Sequence, residues 1–327
     1  MNDGRLLVVC KGDRTLEVID LETAVNLGSV VASGSTPHEV VATDDGRSAF
    51  LPVYSDAGVG SPGTDGRRVD VVDLSQLQRV DEIGLPFASR PHQASLLASG
   101  DLVVSTEIDE SVTVIDRRSF RVIARIPTGQ AESHTFAISA DGRRLVTANV
   151  GPGSVSVIDI ASRTLLGVVQ IAERVNRICL DPSGGLAYTA DQDSPRLAVI
   201  DTERIERVAW MELPSVGFGT AVTADGSLIV VALRAASEIA VIDRRSGALM
   251  HRVATPDHPQ AIVLHPDGVR AYSACDDDDC VVEVDVRSGR LLRRMGTGRK
   301  PDGIAFANGP RRMNSMSAAS NPTASRW

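Results

Sequence analysis

Aromatic residues are scarce. Six Phe, three Tyr and two Trp make up 3% of the 327 residues, which leaves few platforms for stacking bases or sugars and ranks single-stranded nucleic acid and glycans low among ligands. Cysteine is equally sparse: Cys10, Cys179, Cys275 and Cys280 contain no CxxC pair, and four thiols in so long a chain cannot frame a disulfide scaffold, so reduced thiols are expected. An excess of basic residues is missing too. A formal net charge of −8 and a pI near 5.3 repel phosphate backbones and anionic lipid, so no nucleic-acid partner is expected. No apolar run is long enough to span a bilayer, and the N-terminal residues enter a strand pattern without the basic and apolar segments of a signal peptide. A cytoplasmic protein without a membrane partner is expected. Helical periodicity, a GxSxG elbow, an HExxH pair and a Walker loop are all absent.

What the sequence does contain is a repeat. A short apolar run ending in Asp recurs seven times, at Asp20, Asp73, Asp116, Asp159, Asp201, Asp243 and Asp285. The spacings from Asp73 onward are 43, 43, 42, 42 and 42, whereas the first is 53 because of an insertion. Five of the units also carry a hairpin turn, at Asp45-Gly46, Asp141-Gly142, Ser183-Gly184, Asp225-Gly226 and Asp267-Gly268. A period of 40 to 45 residues built only of strands and turns is the pattern of a propeller blade. The expectation is an all-β seven-bladed β-propeller of four-stranded blades spanning residues 1–306. The chain begins in a second strand, Arg5 to Cys10, and its regular pattern ends in a first strand, Pro301 to Phe306, so N- and C-terminal strands must pair to close the ring. Residues 307–327, rich in Ser, Asn and Ala, are expected to form a disordered tail.

The run Leu145-Val146-Thr147-Ala148-Asn149, between Asp141-Gly142 and Val157-Ile158-Asp159, resembles the YVTN repeat of bacterial and archaeal propellers, the YncE-like and lactonase-like family, over residues 1 to about 306. The resemblance implies the fold. Family members of this kind include surface-layer proteins, DNA-associated scaffolds and lactonase-like or lyase-like enzymes, so it implies no single reaction.

In a propeller the first strand of each blade lines the channel, so equivalent first-strand residues form a ring. Aligned on their turns, the seven units place His38, His92, His134, Asn176, Phe218, Gln260 and Asp302 at one position. Three of the six histidines thus share a structural position in consecutive blades. Three neutral imidazoles with an open position make a catalytic metal site, for which zinc, manganese or iron is suitable. The alternative is that the rings are satisfied by water in a polar channel. Proton competition should weaken such a metal site as pH falls through about 6.5. His251, His258 and His265 are read as structural.

The end of the second strand supplies a further ring, read as Val53, Glu107, Asn149, Asp191, Leu233, Cys275 and Lys11. Glu107 is a candidate fourth ligand or general base, or else a rim carboxylate paired with Arg. Arg177 and Lys11 are read either as holders of an anionic substrate or as solvated surface charges. Tyr54, Asn149, Asn176, Asp191, Phe218, Gln260 and Asp302 complete the set of candidate substrate contacts. The insertion, residues 54–67, is expected to be a mobile lid over the channel. The CDDDDC loop, Cys275 to Cys280, reads as a solvated turn with weak cation binding at most.

Two functions of different class follow. One is a metal-dependent hydrolase or lyase acting on a small carbonyl, lactone or ester-type molecule, with one divalent ion on His38, His92 and His134. The other is a non-catalytic scaffold whose top face docks a protein or small ligand.

Overall fold

A computed structural model of the chain describes residues 4–309 except Ala88. It contains seven four-stranded antiparallel sheets arranged as the blades of a propeller. Blade 1 is composite: Pro301–Ala307 is its inner strand, followed by Arg5–Cys10, Thr15–Asp20 and Asn26–Val31. Leu6 pairs with Phe306 and Val8 with Ile304, so the ring closes as expected, with the terminal strand one residue longer than its sequence pattern. Blades 2 to 7 follow in chain order, with inner strands at Val41–Ala42, Pro91–Leu96, Ser133–Ile138, Ile178–Leu180, Thr220–Val222 and Pro259–Leu264. The expected tail lies outside the described residues from position 310 onward; Ala307 is still strand, and Asn308 donates to the Asp44 carbonyl. Among the described residues no helix is long and apolar enough to cross a membrane.

The recurring Asp has a local structural role. In each blade it accepts a hydrogen bond from a backbone N–H two or three residues on: Thr23 to Asp20 at 2.8 Å, Ser119 to Asp116 at 2.6 Å, Ser162 to Asp159 at 2.7 Å and Ser246 to Asp243 at 2.8 Å. A carboxylate that bonds its own backbone in this way shapes the turn from the third strand to the fourth. The Asp-Gly turns work similarly at the inner hairpin. Gly46 has φ +65°, and a Cβ there would meet the Asn308 carbonyl, so an L side chain is excluded twice over.

Burial follows radial position. Second and third strands such as Leu102–Thr106 and Ser111–Asp116 are buried on both faces, whereas fourth strands such as Thr164–Gln170 alternate with solvent. The apolar core is accordingly a series of clusters between blades. The cluster at the closure joins Leu6, Val8 and Ile304 of blade 1 to Tyr272, Ala274 and Val281 of blade 7. The Val, Leu and Ile side chains among them each contribute about 1.5–3 kcal/mol when fully buried.

The composite blade is therefore where the ring is most easily opened. Ile304→Ala is expected to destabilise the protein by about 2–5 kcal/mol, while Leu291→Ala, on an exposed fourth strand, should change stability by no more than about 0.5 kcal/mol. Chemical denaturation of both variants measures this, and equal effects would refute closure through residues 301–307.

Candidate functional site

The inner strands do not run straight into the channel. In blade 4, Ser133 pairs with Asn149 and Thr135 with Ala148, so His134 is an extra residue that has no partner in the ladder. Register shifts at the same place occur in blade 1 between Pro301 and Ile304, in blade 3 between Pro91 and Ala94, and in blade 7 between Pro259 and Ile262. In blade 6, Phe218 donates to the Ala232 carbonyl while the Ala232 amide donates to Gly219, again two residues against one. Such bulges turn a side chain out of the sheet plane and often border functional sites. Here they direct the ring residues toward the axis.

The three histidines do come together. The His92 and His134 rings stack with centroids 3.4 Å apart and 28° between planes, and His38 meets His92 edge-on at 5.3 Å. Tyr54 packs against all three, at 4.7, 4.9 and 5.6 Å. His92 and His134 are almost completely buried. Burial is the largest influence on each ring, pushing the His38 pKa down to about 3 and those of His92 and His134 below the ordinary 6.5. All three imidazoles are therefore neutral at pH 7. Among the described residues no group of three His, Cys, Asp or Glu side chains is arranged to hold a metal ion.

Two of the rings are oriented by carboxylates. His134 Nδ1 lies 3.3 Å from Glu107 Oε2, and His38 Nδ1 lies 3.4 Å from Asp302 Oδ2. An ionised carboxylate can only accept, so the proton belongs on Nδ1 and the lone pair on Nε2. His92 Nδ1 is buried with no hydrogen-bond partner among the described residues.

Glu107 is saturated. Tyr54 donates its hydroxyl to Oε2 at 2.5 Å, and Gly60 N–H and Arg90 donate to Oε1 at 3.3 and 3.2 Å. Burial alone would raise its pKa, but His134, Tyr54 and the Gly60 amide outweigh it and hold the group ionised. With four partners it has no capacity left to ligate a metal or take a proton from substrate, so its place in this geometry is to orient His134. The same burial, together with Glu107, drives the Tyr54 pKa far upward; the phenol stays protonated.

The second-strand ring needs a correction. Hairpin pairing puts Cys10, Val53, Thr106, Asn149, Leu233 and Cys275 in one register, so Glu107 and Lys11 belong one residue later, with Tyr54, Val150, Gln192, Arg234 and Asp276. A one-residue slip moves every side chain to the other face. Asn149 is consequently not at the mouth: it is fully buried and accepts from Ser133 and Thr147 while donating to Ser154 and Ser156. Asp191 is engaged by Arg196 at the start of the next strand. Arg234 was missed, although counting back from the Val-Ile-Asp strand would have found it, and Asp276 was read only as part of a solvated turn.

Arg177 is neither solvated nor free. It crosses from blade 5 to Glu39 of blade 2 at 2.6 Å and Asp302 of blade 1 at 3.1 Å. Burial lowers its pKa, yet the two carboxylates raise it further, so it is a permanent cation held as a strut. Asp302 also meets Lys11 at 3.2 Å, and burial is outweighed by Lys11 and Arg177, which keep its pKa very low. Gln260 bonds Asp276, and Phe218 lies beneath Arg177 and Arg234. Thr135 donates to the Asn176 carbonyl at 2.7 Å. Glu39, the residue after His38, was not anticipated; it and Arg177, the residue after Asn176, meet each other from different blades.

His251 caps the Arg287 carbonyl, His258 pairs with Asp277, and His265 packs on Tyr272 and Phe306, all apart from the cluster. The insertion is shorter than expected as a loop, since Tyr54–Ser55 and Asp65–Arg67 continue the strands. Its turn is tied down by Gly60 to Glu107 and by Arg90, which bonds the Ser61 carbonyl at 3.0 Å. A cavity of about 430 Å³ opens beside it, lined by Lys11, Thr36, His38, Asp276, Lys300 and residues 55–58. The acidic loop is part of this wall: Asp276 is buried and meets Lys11 and Lys300, rather than standing free in solvent.

Fold and site together define a closed seven-bladed β-propeller with a polar, histidine-bearing channel top. No family model matches the chain. The protein YncE from Salmonella typhi and that from Salmonella typhimurium are each 22% identical to it over 204 residues, 61% of this chain and 57% of theirs, so the match spans a little over half the length of those relatives. Among solved structures, a functionally unknown protein from Desulfotomaculum acetoxidans superposes with a TM-score of 0.76 at 14% identity over 93% of this chain and 99% of that one. Hydrazine synthase from Kuenenia stuttgartiensis gives 0.72 at 19% identity over 84% and 90%. Dihydro-heme d1 dehydrogenase NirN gives 0.67 at 15% over 93% and 75%. The chain is thus a seven-bladed β-propeller with sequence similarity to YncE.

Two measurements test the network. Tyr54→Phe removes one of the donors to Glu107 and should destabilise by about 1.5–3 kcal/mol, the range for a hydrogen bond to a charged group, read by denaturant melts; no change would show the contact to be dispensable. Buried neutral histidines also set a pH dependence. The unfolded chain binds a proton as pH falls through 6.5, whereas folded His38 resists until about 3, so its share of stability is complete above 6.5 and is lost as pH falls toward 3. In chelator-treated protein, His38→Asn should lose less stability over that window than the parent.

Proposed function

We propose that the protein is a metal-dependent enzyme whose imidazoles His38, His92 and His134 hold one divalent ion, zinc, manganese or iron, at the channel top. The observation that carries this reading is the donor set. Three neutral rings, His92 and His134 buried and His38 partly so, run in contact from His38 through His92 to His134, two with Nδ1 set against a carboxylate and the third with a buried nitrogen lacking a partner among the described residues. Carboxylate-oriented neutral imidazoles are the usual ligands of catalytic transition metals. A bound divalent ion would supply Lewis acidity or a lowered water pKa. The residues' own contributions are distinct: Glu107 and Asp302 orient two rings, Tyr54 packs over all three, and the 430 Å³ cavity reaches His38 from solvent.

The substrate in this reading is a small carbonyl, lactone or ester-type molecule, transformed by hydrolysis or elimination. Two structural neighbours bear enzyme names, which supports the view that a propeller of this shape accommodates catalysis. The stacking of His92 on His134, without convergence of three donors, favours the second reading, a binding scaffold.

Elemental analysis decides between them. Purified protein is expected to hold about one transition metal per chain, with His92→Ala losing most of it and His251→Ala none. Because burial depresses all three pKa values, affinity should persist below pH 6.5 and not decline through it, which revises the expectation from unperturbed histidine. Protein that neither contains nor takes up zinc, manganese or iron would leave the scaffold reading in its place.

A further inference from the structure

One cation at the channel top makes no direct ion pair among the described residues. Lys11, Arg90, Arg177 and Lys300 each pair with a carboxylate. Arg234, which follows the second strand of blade 6, makes no ion pair among the described residues. Its guanidinium carbon lies 4.3 Å from the centre of the Phe218 ring, and its Nε is buried without a hydrogen-bond partner. Burial lowers its pKa, and the more distant Asp276 and Asp302 only partly oppose this. A half-buried guanidinium on an aromatic face gains some cation–π attraction, but its buried Nε–H remains unsatisfied, and the rest of the group is not enclosed. An external anion would satisfy this donor.

The position is suited to a ligand of the same channel top. Arg234 occupies the register of Tyr54, Glu107, Lys11 and Asp276, and Phe218 occupies the ring register of the three histidines. In a ring of seven, blade 6 lies across the axis from blades 2 and 3, which carry His38 and His92. We infer that Arg234 anchors the carboxylate of a small monoanionic substrate whose remaining part is directed toward the imidazoles. A planar guanidinium matches a carboxylate in paired hydrogen bonds. A phosphate dianion fits less well, since only one cation is unpaired and Asp276, Asp277 and Asp302 stand nearby. The inference rests on the reading of the channel top as the substrate site, but not on the metal.

Acetate is the probe, titrated by saturation-transfer NMR against chloride at matched ionic strength. The parent should bind acetate, Arg234→Gln should weaken binding by about tenfold or more, as loss of a charge-assisted pair implies, and Arg234→Lys should fall between. His92→Ala should keep acetate binding while losing metal, so failure of the metal reading and failure of this one are separate results. In the unmutated protein, acetate should also slow phenylglyoxal modification of Arg234, read by mass spectrometry, which needs no variant to fold. Acetate binding that is absent, or unchanged in Arg234→Gln, or that leaves Arg234 unprotected, overturns the proposal. So does inorganic phosphate outcompeting acetate at Arg234, which would point to a phosphorylated ligand.

Discussion

At the head of the inner strand in most blades the chain carries one residue more than the second strand beside it, and the channel top depends on that irregularity. A regular strand would send alternate residues to opposite faces of its sheet, into the packing between blades. The bulge releases His134 from the ladder between Ser133 and Thr135, and the same shift frees Asp302 and Gln260. Two successive side chains then face the axis. That is why Glu39 follows His38 into the channel and Arg177 follows Asn176, and why polar groups can collect there without entering the apolar clusters between blades.

Those polar groups form one electrostatic system. Asp302 gathers Lys11, Arg177 and His38, and Arg177 continues to Glu39 on a distant blade. Glu107 gathers Arg90, Tyr54, Gly60 and His134. Buried charge is destabilising unless each member is paired, and here nearly every carboxylate has at least two donors. The histidines are the exception in kind, kept neutral by the same burial that makes the charged pairs strong. A neutral, oriented imidazole is a Lewis base, in contrast to the Glu107 carboxylate, whose oxygens are taken up by Tyr54, Gly60, Arg90 and His134.

Much of this was legible in the chain. The seven-fold Asp, the Asp-Gly turns and the near-constant period specify blades because each is a local signal: Asp116 bonds the amide of Ser119, three residues away. Closure was legible too, since a chain that begins in a second strand and ends its pattern in a first one has only one way to satisfy both edges. The coincidence of His38, His92 and His134 followed from the period alone. The slip at Glu107 and Lys11 shows the limit of that method. Periodicity says which residues are equivalent to within a position, whereas a strand's side chains change face at every position.

By itself, then, the sequence determined the number of blades, the order of strands and the grouping of three histidines at one end of the channel, because these depend on short-range turns and on the repeat. Tertiary structure decided what the grouped residues do to one another. Whether Glu107 is a free base or a saturated anchor depends on Tyr54, Gly60 and Arg90 arriving from another blade, a loop and a strand entry. Whether Arg177 is solvated depends on Glu39, 138 residues earlier in the chain. Whether Arg234 is paired depends on every acid around the ring. Protonation state and partner are properties of the enclosed volume, which exists only once the seven blades have closed.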